Sequence, residues 1–171
     1  MPQVAVTAGL TALTGVASLA QIGLAVRVIL LQPTSDGGLQ VGPWFLPPDI
    51  DVTRPVSLRA RITSSPSGAP APGNIEWQVG YAWAGLGGWN ETTFQLIQPI
   101  DATFIVSATL PLLLDNGAGY TIAGGVLPVG TCLSLLLRRM GSLVGDTYVR
   151  LVYLSPTLDI VYYKRCQAVC C

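Results

Sequence analysis

The feature that most constrains this chain is a strict apolar–polar alternation in two short runs. In NIEWQVGYAW, Ile75, Trp77, Val79, Tyr81 and Trp83 fall on one face, with Glu76 and Gln78 opposite. In VSLRARIT, Val56, Leu58, Ala60 and Ile62 share a face, while Arg59 and Arg61 take the other. Successive side chains leave opposite faces of a pleated strand, so this period marks half-buried β-structure. The same texture continues on either side. GLAVRVILLQP reads as a strand stopped by Pro33 and the Ser35-Asp36-Gly37-Gly38 turn, and LQVGPWFLPPDID as a short extended piece closed by Pro47-Pro48. Gly85, Gly87 and Gly88 end the NIEWQVGYAW strand, and SSPSGAPAPG before it is a loop of breaker residues.

Later candidates are FQLIQ and TFIVSATL, separated by Pro99, then YTIAGGVL with a paired glycine that suggests a bulge. CLSLLLRR, GDTYVRLVYL and LDIVYY close the run. The pattern predicts an all-β fold, a single jelly-roll sandwich or barrel of about eight strands over residues 23–163. Nothing in residues 32–165 reads as a good helix, and no internal repeat suggests a propeller or solenoid. The expected core holds Val56, Leu58, Ile62, Ile75, Trp77, Val79, Leu135 and Leu137, with Arg59, Arg61 and Glu76 outside it. Trp77, Tyr81 and Trp83 read as core aromatics because they share the face of Ile75 and Val79.

Charge is scarce. Charged residues form 11% of the 171 and hydrophobic residues 50%, against a usual charged share of about 25%. Disorder is excluded for most of the chain, since it needs the opposite balance. Nine basic residues cancel nine acidic ones, so no basic excess exists to displace counterions from nucleic acid. The chain contains no histidine, and Lys164 is its one lysine. That removes Ser-His-Asp and Cys-His catalysis and His-based metal sites. The nearest carboxylate pair, Asp49 and Asp51, sits in a Pro-rich turn and reads as turn capping. GAGY and AGG lack the strand–loop–helix context of a phosphate loop. We therefore expect no enzyme, no cofactor, no metal site and no small-molecule substrate.

Residues 2–26 carry no charge at all. Thr, Ser, Gly and Gln interrupt the stretch too often for a good bilayer span, and no basic residue precedes Arg27 to make the n-region of a secretory leader. We read residues 1–22 as an N-terminal arm lying on a neighbouring surface, with a short helix around Leu10–Gln21. Wide antiparallel sheets have edges that soluble proteins blunt with charge or lysine, and this chain has little of either. An apolar, near-neutral surface promotes association, so composition alone argues for an assembly subunit.

Three segments, in order, carry a resemblance. They are Trp44-Phe45-Leu46-Pro47-Pro48-Asp49, Glu76-Trp77-Gln78-Val79 and Gly145-Asp146-Thr147-Tyr148. Over roughly residues 23–163 the chain resembles the single jelly-roll proteins of bacteriophages. It is similar to the small major capsid proteins of the tailless, membrane-containing icosahedral phages of Thermus. The resemblance implies a structural virion protein of the capsid shell, assembled in the host cytoplasm. Its partners would be further copies of itself and a larger coat protein, with possible contact to an internal viral membrane. The alternatives are a phage appendage or receptor-binding jelly roll, and a carbohydrate-binding domain. For the last, Trp89-Asn90-Glu91 in the Gly-rich loop offers only a faint aromatic–polar cluster. Arg138-Arg139, ending a strand, reads as solvated.

Four cysteines remain. Cys132 alternates with leucines and reads as a small buried residue. Cys166, Cys170 and Cys171 crowd the C-terminal tail, residues 164–171. Three thiols leave one over after any internal bridge, so we expect a disulfide-forming clasp at or near a subunit interface.

Overall fold

The computed structural model describes residues 3–22, 26–64, 72–85, 88–100, 112–114 and 121–165. It is all-β, with two antiparallel sheets packed as a jelly-roll sandwich, as the alternation predicts. The strands are β1 (Gln3–Gly15), β2 (Ser18–Ile22), β3 (Val26–Leu31), β4 (Asp36–Phe45), β5 (Val56–Ser64) and β6 (Gly73–Gly85). After them come β7 (Gly88–Ile100), β8 (Leu112–Leu114), β9 (Thr121–Ile122), β10 (Cys132–Met140) and β11 (Val152–Tyr163). Among the described residues none is helical.

One sheet is built around β11. That strand pairs with β5 on one side, and on the other with β1 and β3 in succession. The second sheet runs β1-β4-β10-β6-β7. The strand β1 belongs to both. Its first half, Gln3–Gly9, pairs with Tyr163–Thr157, and its second half from Leu10 pairs with β4 across a register shift. Where β1 leaves β11, β3 takes over the vacated edge at Val152–Leu154. Gly15 closes the strand at a φ of 61°, and a Cβ there would stand 2.1 Å from the Asp36 carbonyl oxygen. Only glycine fits that left-handed, crowded position.

The segment expected to be an arm with a short helix over Leu10–Gln21 therefore forms two strands within the body. Its Ala, Gly and Thr residues leave the alternation faint, while its backbone supplies hydrogen bonds to two sheets at once. Val4, Val6 and Leu13 pack on the core from it.

All eight expected core residues are buried in one cluster, with Leu39, Val41, Leu133, Leu154 and Ile160. Trp77 is fully buried, and Tyr81 and Trp83 pack against the cluster partly buried. Arg61 is exposed and Arg59 half-buried, both on the outer face. Glu76 departs from expectation: it leaves the opposite face from Trp77, yet it is buried. The loop 141–151 lies over it, so close that a Cβ on Gly145 would stand 2.2 Å from Glu76 Oε2.

Several boundaries also differ. FQLIQ belongs to a single strand running through Pro99, and β6 and β7 form a long hairpin closed at Gly85↔Gly88. GDTYVR is loop, and its strand begins at Val152. TFIVSATL lies outside the described residues.

Candidate functional site

Three places on the sandwich bring polar or exposed groups together. The first is the outer face of the β6–β10 sheet. Register lines up Gln40, Leu136, Gly80 and Thr93 as one row across four strands. On one side of it runs Ser134, Ala82 and Glu91, and on the other Arg138, Gln78 and Gln95. Gly80 has no side chain, and the methyl of Thr93 leans into its place; a Cβ on Gly80 would sit 2.5 Å from Thr93 Cγ2. The result is a shallow depression of about 180 Å³ over Gly80, edged by Gln40, Glu91, Thr93 and Ser134. Gln40, Glu91 and Thr93 are exposed and Ser134 is half-buried.

The second place is the end of the sandwich near Asp36. Beyond Arg139, β10 turns away from β6, and Thr147 and Tyr148 replace it there: their N–H groups donate to the Asn74 carbonyl at 2.9 and 3.0 Å. Arg139 holds this loop from inside. Its Nε donates to Asp146 Oδ2 at 2.7 Å and its Nη2 to Oδ1 at 2.6 Å, with both side chains fully buried. Nη1 donates to the Arg150 carbonyl at 2.8 Å, and Nη2 also reaches the Tyr148 carbonyl. The fork of the guanidinium suits a bidentate carboxylate and nearby carbonyls together. Arg139 was expected to be solvated with Arg138; it is instead the polar anchor of the loop. Arg138 stays half-exposed, 3.6 Å from Asp36 Oδ2. Asp36 also accepts from the Ser142 N–H and hydroxyl, at 3.0 and 2.7 Å.

The third place is the opposite end, near Phe45. Asp51 Oδ1 accepts from the Thr53 N–H at 3.1 Å and from its hydroxyl at 2.6 Å. That is the turn-capping role expected, and Asp51 alone of the pair is seen in it; these bonds hold the Asp51 carboxyl below its ordinary value. Asp49 binds Lys164 at 2.8 Å. The shared hydrogen bond lowers the Asp49 carboxyl and raises the Lys164 ammonium from their ordinary values.

Exposed apolar side chains gather at both ends. Near Asp36 they are Leu143, Val144 (96% exposed) and Val149 (68%), with Ile97 beside Gly145. At the other end are Phe45 (72%), Val126 and Val129.

The expected clasp residues Cys166, Cys170 and Cys171 lie outside the described residues. Cys132 is half-buried rather than buried, because its side chain leaves the face opposite Leu133 and Leu135. Asn90 and Glu91 stand exposed on a strand, with Trp89 in the same strand, rather than in a loop. Residues 123–125 form a turn, and 117–120 are outside the described residues. Among the described residues no three acidic or cysteine side chains group as metal ligands. The depression escaped sequence reading because its defining residue is a glycine; its one signal was Gly80 interrupting an otherwise regular strand.

No protein-family model matches the chain, and no curated protein does. Among solved structures, it is similar to the CBM22-1 xylan-binding domain of Xyn10C from Paenibacillus barcinonensis, with a TM-score of 0.44 and 8% identity. That match covers 93% of this chain and 87% of that one.

Proposed function

We propose that this chain is a structural virion protein, a jelly-roll subunit of an icosahedral bacteriophage shell built over an internal membrane. It acts by associating with copies of itself and with a larger coat protein, and performs no chemistry. One observation carries the reading: Phe45, Val144 and Val149 project into solvent at the two ends of the sandwich, while the charges beside them are held in internal pairs. Isolated soluble domains seldom leave such groups together at a surface without a partner to cover them. Arg61–Asp159, Arg138–Asp36, Arg139–Asp146 and Lys164–Asp49 take eight charged residues between them. The surface keeps little repulsion to hold identical subunits apart.

The test is stoichiometric. In purified particles the protein should be among the most abundant components, and cryo-microscopy should place its sandwich in the shell. A minor band, or absence from particles, overturns the reading. The isolated chain should also sediment as oligomers that Phe45→Ser with Val144→Ser dissociates.

A further inference from the structure

The geometry points to the outer face of the β6–β10 sheet as a binding site for a neutral oligosaccharide, seated in the depression over Gly80. This does not depend on the shell reading: Phe45 and Ile97 share this face, opposite Cys132 and Glu76 towards its two ends, but neither lines the depression.

The chemistry of the lining selects the ligand. Among the described residues no cation borders the depression, and nearby Arg138 stands beside Asp36, so a phosphate or polyanion finds no free positive charge there. An added peptide strand would take the outer edge of β7, which ends the sheet, and not the face that holds the depression. What is offered is an amide (Gln40), two hydroxyls (Thr93, Ser134) and one carboxylate (Glu91) around a floor of Leu136 and Gly80. An amide and a hydroxyl each donate and accept, and a carboxylate accepts strongly from hydroxyl donors. A sugar ring presents that mixture at its edge and C–H groups on its face, which Leu136 can cover. Four strands at about 4.8 Å spacing give a row of roughly 14 Å, long enough for more than one ring.

The probe is affinity electrophoresis of the purified chain through gels holding soluble uncharged polysaccharides, one each of a glucan, a xylan, a mannan and a galactan. Calorimetry with the corresponding oligosaccharides follows. At least one polymer should retard the wild type, unaffected by about 1 M NaCl, where charge interactions are screened within a few ångströms. Gln40→Ala with Glu91→Ala should weaken binding at least about tenfold, as loss of a charge-assisted hydrogen bond predicts. Its melting temperature should not change, since both side chains are exposed. Three results overturn the proposal: no retardation by any of the polymers, equal retardation of the double variant, or binding abolished by salt. None of them bears on where the protein sits in a particle.

Discussion

Replacing Arg139 with methionine tests whether the 141–151 loop is held from inside. The substitution keeps most of the side-chain volume and removes every donor. Asp146 would then be a fully buried carboxylate without its partner, a situation that costs about 3–5 kcal/mol. The carbonyls of Tyr148 and Arg150 would lose their donors as well, at about 1–3 kcal/mol each. Even with partial relaxation the sum exceeds about 5 kcal/mol, within the 5–15 kcal/mol that stabilises a typical domain. Arg139→Met should therefore be largely unfolded or close to it at room temperature. Arg139→Lys keeps the charge but cannot serve two carbonyls and two carboxylate oxygens together, and should lose about 2 kcal/mol. Arg139→Met with Asp146→Leu removes the stranded charge and should recover about 3 kcal/mol of the single-variant loss. Urea titrations followed by tryptophan fluorescence and far-ultraviolet dichroism give these differences. A midpoint for Arg139→Met within about 1 kcal/mol of wild type would refute the anchor.

Three further outcomes are expected. Deleting residues 1–15 should abolish the cooperative unfolding transition in calorimetry, because the Thr157–Tyr163 edge of β11 and the Gly37–Val41 edge of β4 lose their partner together; an unchanged melt would restore the arm. Gly80→Ala should destabilise by about 1–3 kcal/mol through overpacking against Thr93, and adding Thr93→Ser, which removes the opposing methyl, should restore the urea midpoint. The Asp49–Lys164 pair gives a pH signature. Asp49 is lowered on folding, so its contribution is present above the unfolded carboxyl's 3.8 and lost as pH falls through the lower folded value. Lys164 is raised, so its contribution is present below 10.5 and lost as pH rises through the higher folded value. Lys164→Gln should flatten both limbs of the urea midpoint against pH while leaving the far-ultraviolet spectrum intact.

The central strands were legible because each buries one face and wets the other, which writes itself into the sequence as alternation. Val56 to Ile62 and Ile75 to Val79 obey that rule, and all of their expected core residues are buried. Legibility failed where a residue's surroundings come from a distant segment. Nothing near Glu76 announces that a loop begun some 65 residues later covers it. Arg139 falls on the core face of β10 with Leu133, Leu135 and Leu137, and the loop that closes over this end of that face supplies its partners. β1 escaped for another reason: a strand shared by two sheets changes the face it buries part-way along, so no single period runs through it. At the candidate site the sequence supplied the polar residues but not their assembly. Gln40, Ser134 and Glu91 lie on three strands, and only register brings them around Gly80.

The shared strand also dictates when this molecule can fold. Thr7 donates to Asp159, a hydrogen bond spanning 152 positions, and the sheet around β11 has no centre until residues 152–163 are present. On a ribosome, nearly the whole chain must emerge before its first strand can find a permanent place. Until then the edges of β1, β3 and β5 that pair with β11 lie open, the condition in which nascent β-proteins stick together. A cell making this chain in bulk faces its greatest aggregation hazard during synthesis, and a chaperone that shields residues 3–15 in that interval would raise the yield of folded protein more than any change to the finished sandwich.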